Sequence, residues 1–314
     1  MSVVSRDHID AARERIRGVA RVTPMIDVSA IAGRPLFLKC ENMQPGGAFK
    51  IRGAYNMVAQ LAPADRVRGV ITYSSGNHGQ AVAISAHAVG VPSVVVMPTT
   101  APAVKIDGAK RFGAEVVFAG TTTLHRKAKA EEIAADRGLM MVPPFDHEWI
   151  IAGQGTLGLE ILEQCPDVAT IVVPIGGGGL IGGVAAAVKP ARPDVAIVGV
   201  EPAGAASMKT SIESGGIRTL DGVQSIADGL LAVRPGELNF AIVRQFVDRL
   251  ETVEEHEIAS AFRWLFCDAK IVAEPSGAVT VAAALRDSAT FAPPVVAVIS
   301  GGNLDPSMLT ALLS

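Results

Sequence analysis

Seven short runs rich in β-branched residues punctuate the chain, at 36–41, 69–72, 93–97, 115–118, 170–175, 196–201 and 295–300, with alanine-rich helical stretches between them. That alternation leaves few architectures open. A strand that is apolar on both faces has to be covered by helices on both sides. Successive strand–helix units therefore build mostly parallel sheets of the doubly wound α/β kind. Helices are expected near 53–61, 78–89, 103–112, 122–137, 153–164, 179–188, 204–214 and 254–269. Aromatic residues make up only 4% of the 314, while hydrophobic residues reach 49%, so the core must be aliphatic, as such sheets require.

Several function classes fall away on composition. A net charge of −3 supplies no general attraction for nucleic acid or for an anionic membrane. The basic opening of "LHRKAKAEEIAADRG" soon turns acidic and reads as a solvated helix face. Cys40, Cys165 and Cys267 lie far apart with no C-x-x-C spacing, which suits a reducing cytosol and gives no zinc site. Charges at Arg6 and Asp7 exclude a signal peptide, and His87, Gly90, Pro92 and Pro98 break the low-charge run from Gly79 to Val104 before it could cross a membrane. A soluble cytoplasmic protein is expected.

In open α/β sheets ligands bind beyond the carboxyl ends of strands, which directs attention to loops. Three strands run into unusual ones: "YSSGNHGQ", "PIGGGGLIGG" and "ISGGNLD"; a fourth candidate is the turn "PGGAFKIRGA". Gly176, Gly177, Gly178 and Gly179 would leave backbone N–H groups free at a helix start, a cradle for phosphate, or would serve close packing alone. Forced towards G-x-G-x-x-G, the same loop has Glu201 at roughly the distance of a ribose-binding acid, so a dinucleotide-dependent oxidoreductase stays open on this segment. Lys50 separates the readings. A cation is unfavourable at a helix N-terminus, so a merely solvated lysine is poorly placed there. A desolvated lysine amine can form a Schiff base with an aldehyde. Pyridoxal 5′-phosphate has both an aldehyde and a phosphate, and Phe49 could wall its ring. Ser74, Asn77 and His78 either cap a helix without chemistry or hold a substrate carboxylate.

With "AFKIRGA", "SSGNHGQA", "IAGQGT", "GGGGL", "IADGL", "EPSGA" and "SGGN" in this order, nearly the whole chain resembles the threonine/serine dehydratase and serine racemase family of fold-type II pyridoxal-phosphate enzymes, the tryptophan synthase β-like fold. The resemblance implies that Lys50 carries the cofactor as a Schiff base, Phe49 packs on its ring, and Asn77 bonds its 3-hydroxyl. It further implies that Gly176 to Gly179 hold the phosphate, Ser300 contacts the pyridine nitrogen, and Ser75 works from the opposite ring face, as in racemases. A serine at the ring nitrogen weakens the electron sink and favours loss of a good leaving group such as a β-hydroxyl. The implied activity is an L-threonine/L-serine ammonia-lyase, with serine racemase or a dehydratase of another β-hydroxy amino acid such as hydroxyaspartate as the alternative.

The resemblance also implies a homodimer and a large domain from 1–64 and 147–314, with a small mobile domain at 65–146. The sequence departs from the pattern at three places. A cation site would draw on Glu201 and the Ala205 carbonyl, but Ser207 stands where a second carboxylate is usual, so a divalent or monovalent ion is doubtful and Glu201 equally fits a structural ion pair. Phe145 is an apolar residue typical of threonine dehydratases. No regulatory domain is expected after "SGGNLDPSMLTALLS".

Overall fold

The computed structural model describes residues 4–74, 76–101, 103–286 and 290–313. Among the described residues there are ten strands: β1 (Met25–Asp27), β2 (Leu36–Cys40), β3 (Val70–Thr72), β4 (Ser93–Met97), β5 (Glu115–Phe118), β6 (Met140–Met141), β7 (Thr170–Pro174), β8 (Ala196–Pro202), β9 (Arg249–Val253) and β10 (Val295–Ile299). They form two sheets. One has six strands in the order β1-β2-β10-β7-β8-β9, and the other has four in the order β5-β4-β3-β6. Every pairing is parallel except β1 with β2.

Strands β4, β7 and β10 are buried along their whole length, as strands covered on both faces must be. The seven β-branched runs all become strands, within two residues of their expected bounds. Strands β1, β6 and β9 went unforeseen. Two of them are only two or three residues long, and β9, at a sheet edge, reads "RLETV", with no buried face until Val253. The helix Pro275–Leu285 was missed for another reason. Ten of its residues are buried, so "PSGAVTVAAAL" shows no 3.6-residue alternation to betray it.

Strand β10 lies between β2 and β7, pairing in parallel with both. The lysine turn, the serine-glycine loop and the tetraglycine loop therefore leave one edge of one sheet side by side. Behind them the helices Lys50–Val58, Glu148–Gln164 and Gly179–Val188 cross on glycine. A Cβ on Gly153 would lie 2.6 Å from the Gly53 Cα and 2.7 Å from the Arg52 carbonyl oxygen; one on Gly183 would lie 2.5 Å from the Gly155 nitrogen. The glycines of "IAGQGT" are thus contact points between helix backbones.

Among the described residues no helix is long and apolar enough to cross a membrane. Lys270, after the helix Glu255–Cys267, is the single non-glycine residue described with positive φ, at 58°. Left-handed backbone costs a side-chain-bearing residue about 1–2 kcal/mol, and glycine's extra chain entropy costs about 0.5–1. Lys270→Gly is accordingly expected to stabilise the protein by about 0.5–1 kcal/mol in urea denaturation, despite losing the bond from its ammonium to the Cys267 carbonyl.

Candidate active site

Lys50 opens the helix Lys50–Val58, directly after a turn in which Gly46 and Gly47 have φ of 78° and 71°. The peptide is pinned by the end of the neighbouring strand β10, where the Phe49 N–H donates to the Ser300 carbonyl at 3.1 Å. The half-buried side chain reaches inward, its Nζ donating to the Pro144 carbonyl at 2.8 Å and lying 4.9 Å from the centre of the Phe49 ring. Burial draws the amine down to about 8 from its ordinary 10.5, with nearby Glu274 opposing.

The residue after Pro144 connects the lysine to the glycine loop. The side chain of Phe145 lies where Cβ atoms on Gly177 and Gly179 would project. Asn239 holds Phe145 by its carbonyl at 3.1 Å, and the same side chain occupies the space beside Gly178, whose φ is 97°. Larger residues in this loop would strike Leu230, Phe145, Met208 or Asn239. No side chain caps the helix Gly179–Val188, so its first N–H groups are left to another acceptor. Both features fit a phosphate: close backbone approach, and donors at the positive end of a helix dipole.

Asn77 begins the helix Asn77–Val89 and ties it to the start of the helix Pro275–Leu285 and to the loop after β10. Its Nδ2 donates to Glu274 at 2.7 Å, while its Oδ1 accepts from Asn303 Nδ2 at 2.9 Å. Ser74 Oγ accepts from the Gly76 N–H at 3.3 Å, and Ser75 lies outside the described residues. His78 is buried and turned away from this group, its Nε2 being 3.0 Å from the Val142 carbonyl and its Nδ1 without a hydrogen-bond partner. Burial and the charge of Lys50 push it to about 3, so the ring is neutral. Ser300 is 3% exposed, with its hydroxyl 3.4 Å from the Ser276 carbonyl.

Sequence reasoning misses Glu274 and Asn303. A Glu before Pro at a helix start reads as an ordinary cap, and only the fold sets it against Asn77. Glu274 is 5% exposed, and burial, reinforced by Asp228, raises it to about 8 from 4.5. The acid is therefore neutral at pH 7. A raised carboxyl adds stability that is complete below its unfolded pKa and is lost as pH climbs through the folded one. Glu274→Gln keeps an oxygen for Asn77 but cannot ionise. Its stability relative to the parent should therefore rise between about pH 5 and about pH 9, read from denaturation midpoints; a gap that stays constant would show Glu274 to be ionised throughout.

Glu201 ends up elsewhere. It is fully buried at the end of β8, and its two oxygens accept from the Met208 and Lys209 N–H groups at 2.9 and 2.8 Å. That removes it as a ribose partner, and with it the dinucleotide reading. Ala205 and Ser207 are buried beside it, the Ser207 hydroxyl without a hydrogen-bond partner. Among the described residues no three His, Cys, Asp or Glu side chains gather as metal ligands. One carboxylate already engaged by backbone donors does not fit a hard divalent cation.

The model of the family described as pyridoxal-phosphate dependent enzyme matches residues 16–301. L-threonine ammonia-lyase of Thermotoga maritima is 40% identical over 315 residues, covering 99% of this chain and 79% of that enzyme. Serine racemase of Oryza sativa subsp. indica is 41% identical, covering 96% of this chain and 91% of its own. The structure of maize serine racemase superposes with a TM-score of 0.94 at 38% identity, covering 98% of this chain and 96% of that one.

Proposed function

Because the chain belongs to the pyridoxal-phosphate dependent enzymes, we propose that it is an L-threonine/L-serine dehydratase that converts a β-hydroxy amino acid into a 2-oxo acid and ammonia. The observation that carries this reading is the amine of Lys50, desolvated beside neutral Glu274 and joined through Pro144–Phe145 to an uncapped tetraglycine loop.

Bound pyridoxal phosphate supplies an electrophilic aldehyde and a ring that spreads the charge left on the substrate α-carbon. The N–H groups of Gly176 to Gly179 would hold its phosphate, Lys50 and Phe49 would meet its aldehyde and its ring, and the Ser300 hydroxyl would serve its ring nitrogen. Asn77, steadied by Glu274 and Asn303, would turn its second amide N–H towards the ring hydroxyl. The N-terminal turn of the helix Asn77–Val89, with Ser74 and Ser75, takes the substrate carboxylate. His78 backs that turn through its bond to Val142. Lys50 Nζ, neutral above about pH 8, would take the proton from the α-carbon; that proton balances the one the β-hydroxyl needs to leave as water, and hydrolysis of the remaining enamine releases the 2-oxo acid and ammonia. Phe145 leaves room for a methyl group at the β-carbon. The stretch 65–146 closes over the substrate and excludes water, and two copies of the chain form a homodimer. Three unpaired cysteines suit action in the reducing cytosol.

Serine racemase is the second reading, supported by a rice relative as similar as the ammonia-lyase. A panel of L- and D-threonine, serine and hydroxyaspartate separates them. Matched release of 2-oxo acid and ammonia is expected from L-threonine and L-serine. Interconverted enantiomers without 2-oxo acid would overturn the dehydratase in favour of the racemase.

A further inference from the structure

We propose that Arg52 is a positioning residue for Lys50: its guanidinium, forked between Glu41 and Glu160, closes the base of the loop from Glu41 to Arg52 and sets where the lysine amine points. Arg52 is fully buried and every N–H it has is used. Nε and Nη2 donate to the two Glu41 oxygens at 2.7 and 2.8 Å, and Nη1 and Nη2 donate to the two Glu160 oxygens at 2.6 and 2.8 Å. Thr156 and the Arg21 carbonyl take the remaining bonds at 3.0 and 3.2 Å. Lys39, also fully buried, donates to Glu160 at 2.7 Å, so two cations face two carboxylates and the cluster is neutral.

Such a cluster is a poor source of net stability, since buried ion pairs can often be replaced by apolar residues without loss. What it provides is fixed geometry. Glu41 stands at the entry to the lysine loop and Arg52 at its exit, while Glu160 belongs to the helix Glu148–Gln164 of the scaffold. Between entry and exit, Gly46 and Gly47 give the backbone little stiffness of its own. Two residues along a helix is a rotation of about 200°, so Arg52 can face the scaffold while Lys50 faces the opposite way. Lysine at this position would keep the charge but lose the fork.

This role presupposes Lys50 as the covalent lysine. The test compares holoenzymes of Arg52→Lys, of the charge-balanced pair Glu41→Gln with Arg52→Met, and of Phe262→Leu, a core substitution in the helix Glu255–Cys267 that lowers stability without touching the loop. The first two should lose about 10–100-fold in kcat with KM within about threefold, because a small misplacement of a reacting group carries that penalty. Circular dichroism of the bound cofactor, per mole bound, should fall to about half or less in both and stay at the parent value in Phe262→Leu. Parent kcat and dichroism in either Arg52 variant would overturn the proposal, as would the same losses in Phe262→Leu. If borohydride fixes no pyridoxyl group on Lys50 of the parent protein, the reading of the site falls first and this role with it.

Discussion

Lys50→Ala should lose at least about a thousandfold in kcat for 2-oxo acid formation while remaining folded. Two duties converge on one nitrogen: attachment of the cofactor, and removal of the α-proton. General base catalysis alone contributes about 10²–10⁴-fold. The fold lowers the amine to about 8 by burial, and an ordinary surface lysine would show no such change. The alanine variant should also lack any borohydride-fixed pyridoxyl group. Lys50→Arg should not rescue it, since a guanidinium stays protonated and cannot act as the base. A variant that keeps activity within about threefold would reduce Lys50 to a charge at a helix start, and the proposed function would go with it.

Gly153→Ala should destabilise the protein by about 2–3 kcal/mol, the opposite of what helix propensity alone predicts. Alanine normally gains about 1 kcal/mol over glycine within a helix. Here the added methyl would overlap the Gly53 Cα at 2.6 Å and the Arg52 carbonyl at 2.7 Å, backbone atoms that cannot rotate aside. Relief requires the helix Glu148–Gln164 to move off the Lys50 helix. Pro144 and Phe145 immediately precede that helix, so kcat should fall too. Chemical denaturation reads the first effect, and an unchanged or raised midpoint would mean that the helices stand further apart than described.

Central strands were readable because burial on both faces leaves no choice but continuous Val and Ile, as in "VVAVI" and "SVVVM". Edge strand β9 and the short β1 and β6 carry no such signature, and the all-round buried helix Pro275–Leu285 hides its period. The same contrast holds in the site. Lys50, the tetraglycine loop and Asn77 stand out in sequence because glycine runs and an uncomfortable charge violate local preference. Glu274 and Arg52 obey it: one looks like a helix cap, the other like a surface arginine four residues before an asparagine. Their meaning comes from partners such as Asn77 and Glu160, distant in sequence, which only the packed chain supplies.

The placement of β10 bears on how the molecule is made. Residues 70–141 hold a complete four-stranded sheet, which can form while the rest of the polypeptide is still on the ribosome. The six-stranded sheet cannot, because the strand that joins β2 to β7 is the last of the ten to emerge. Until then two apolar strands wait with unsatisfied edges, in an intermediate of high contact order open to self-association. Chaperone demand during synthesis should therefore centre on nascent chains shorter than residue 295.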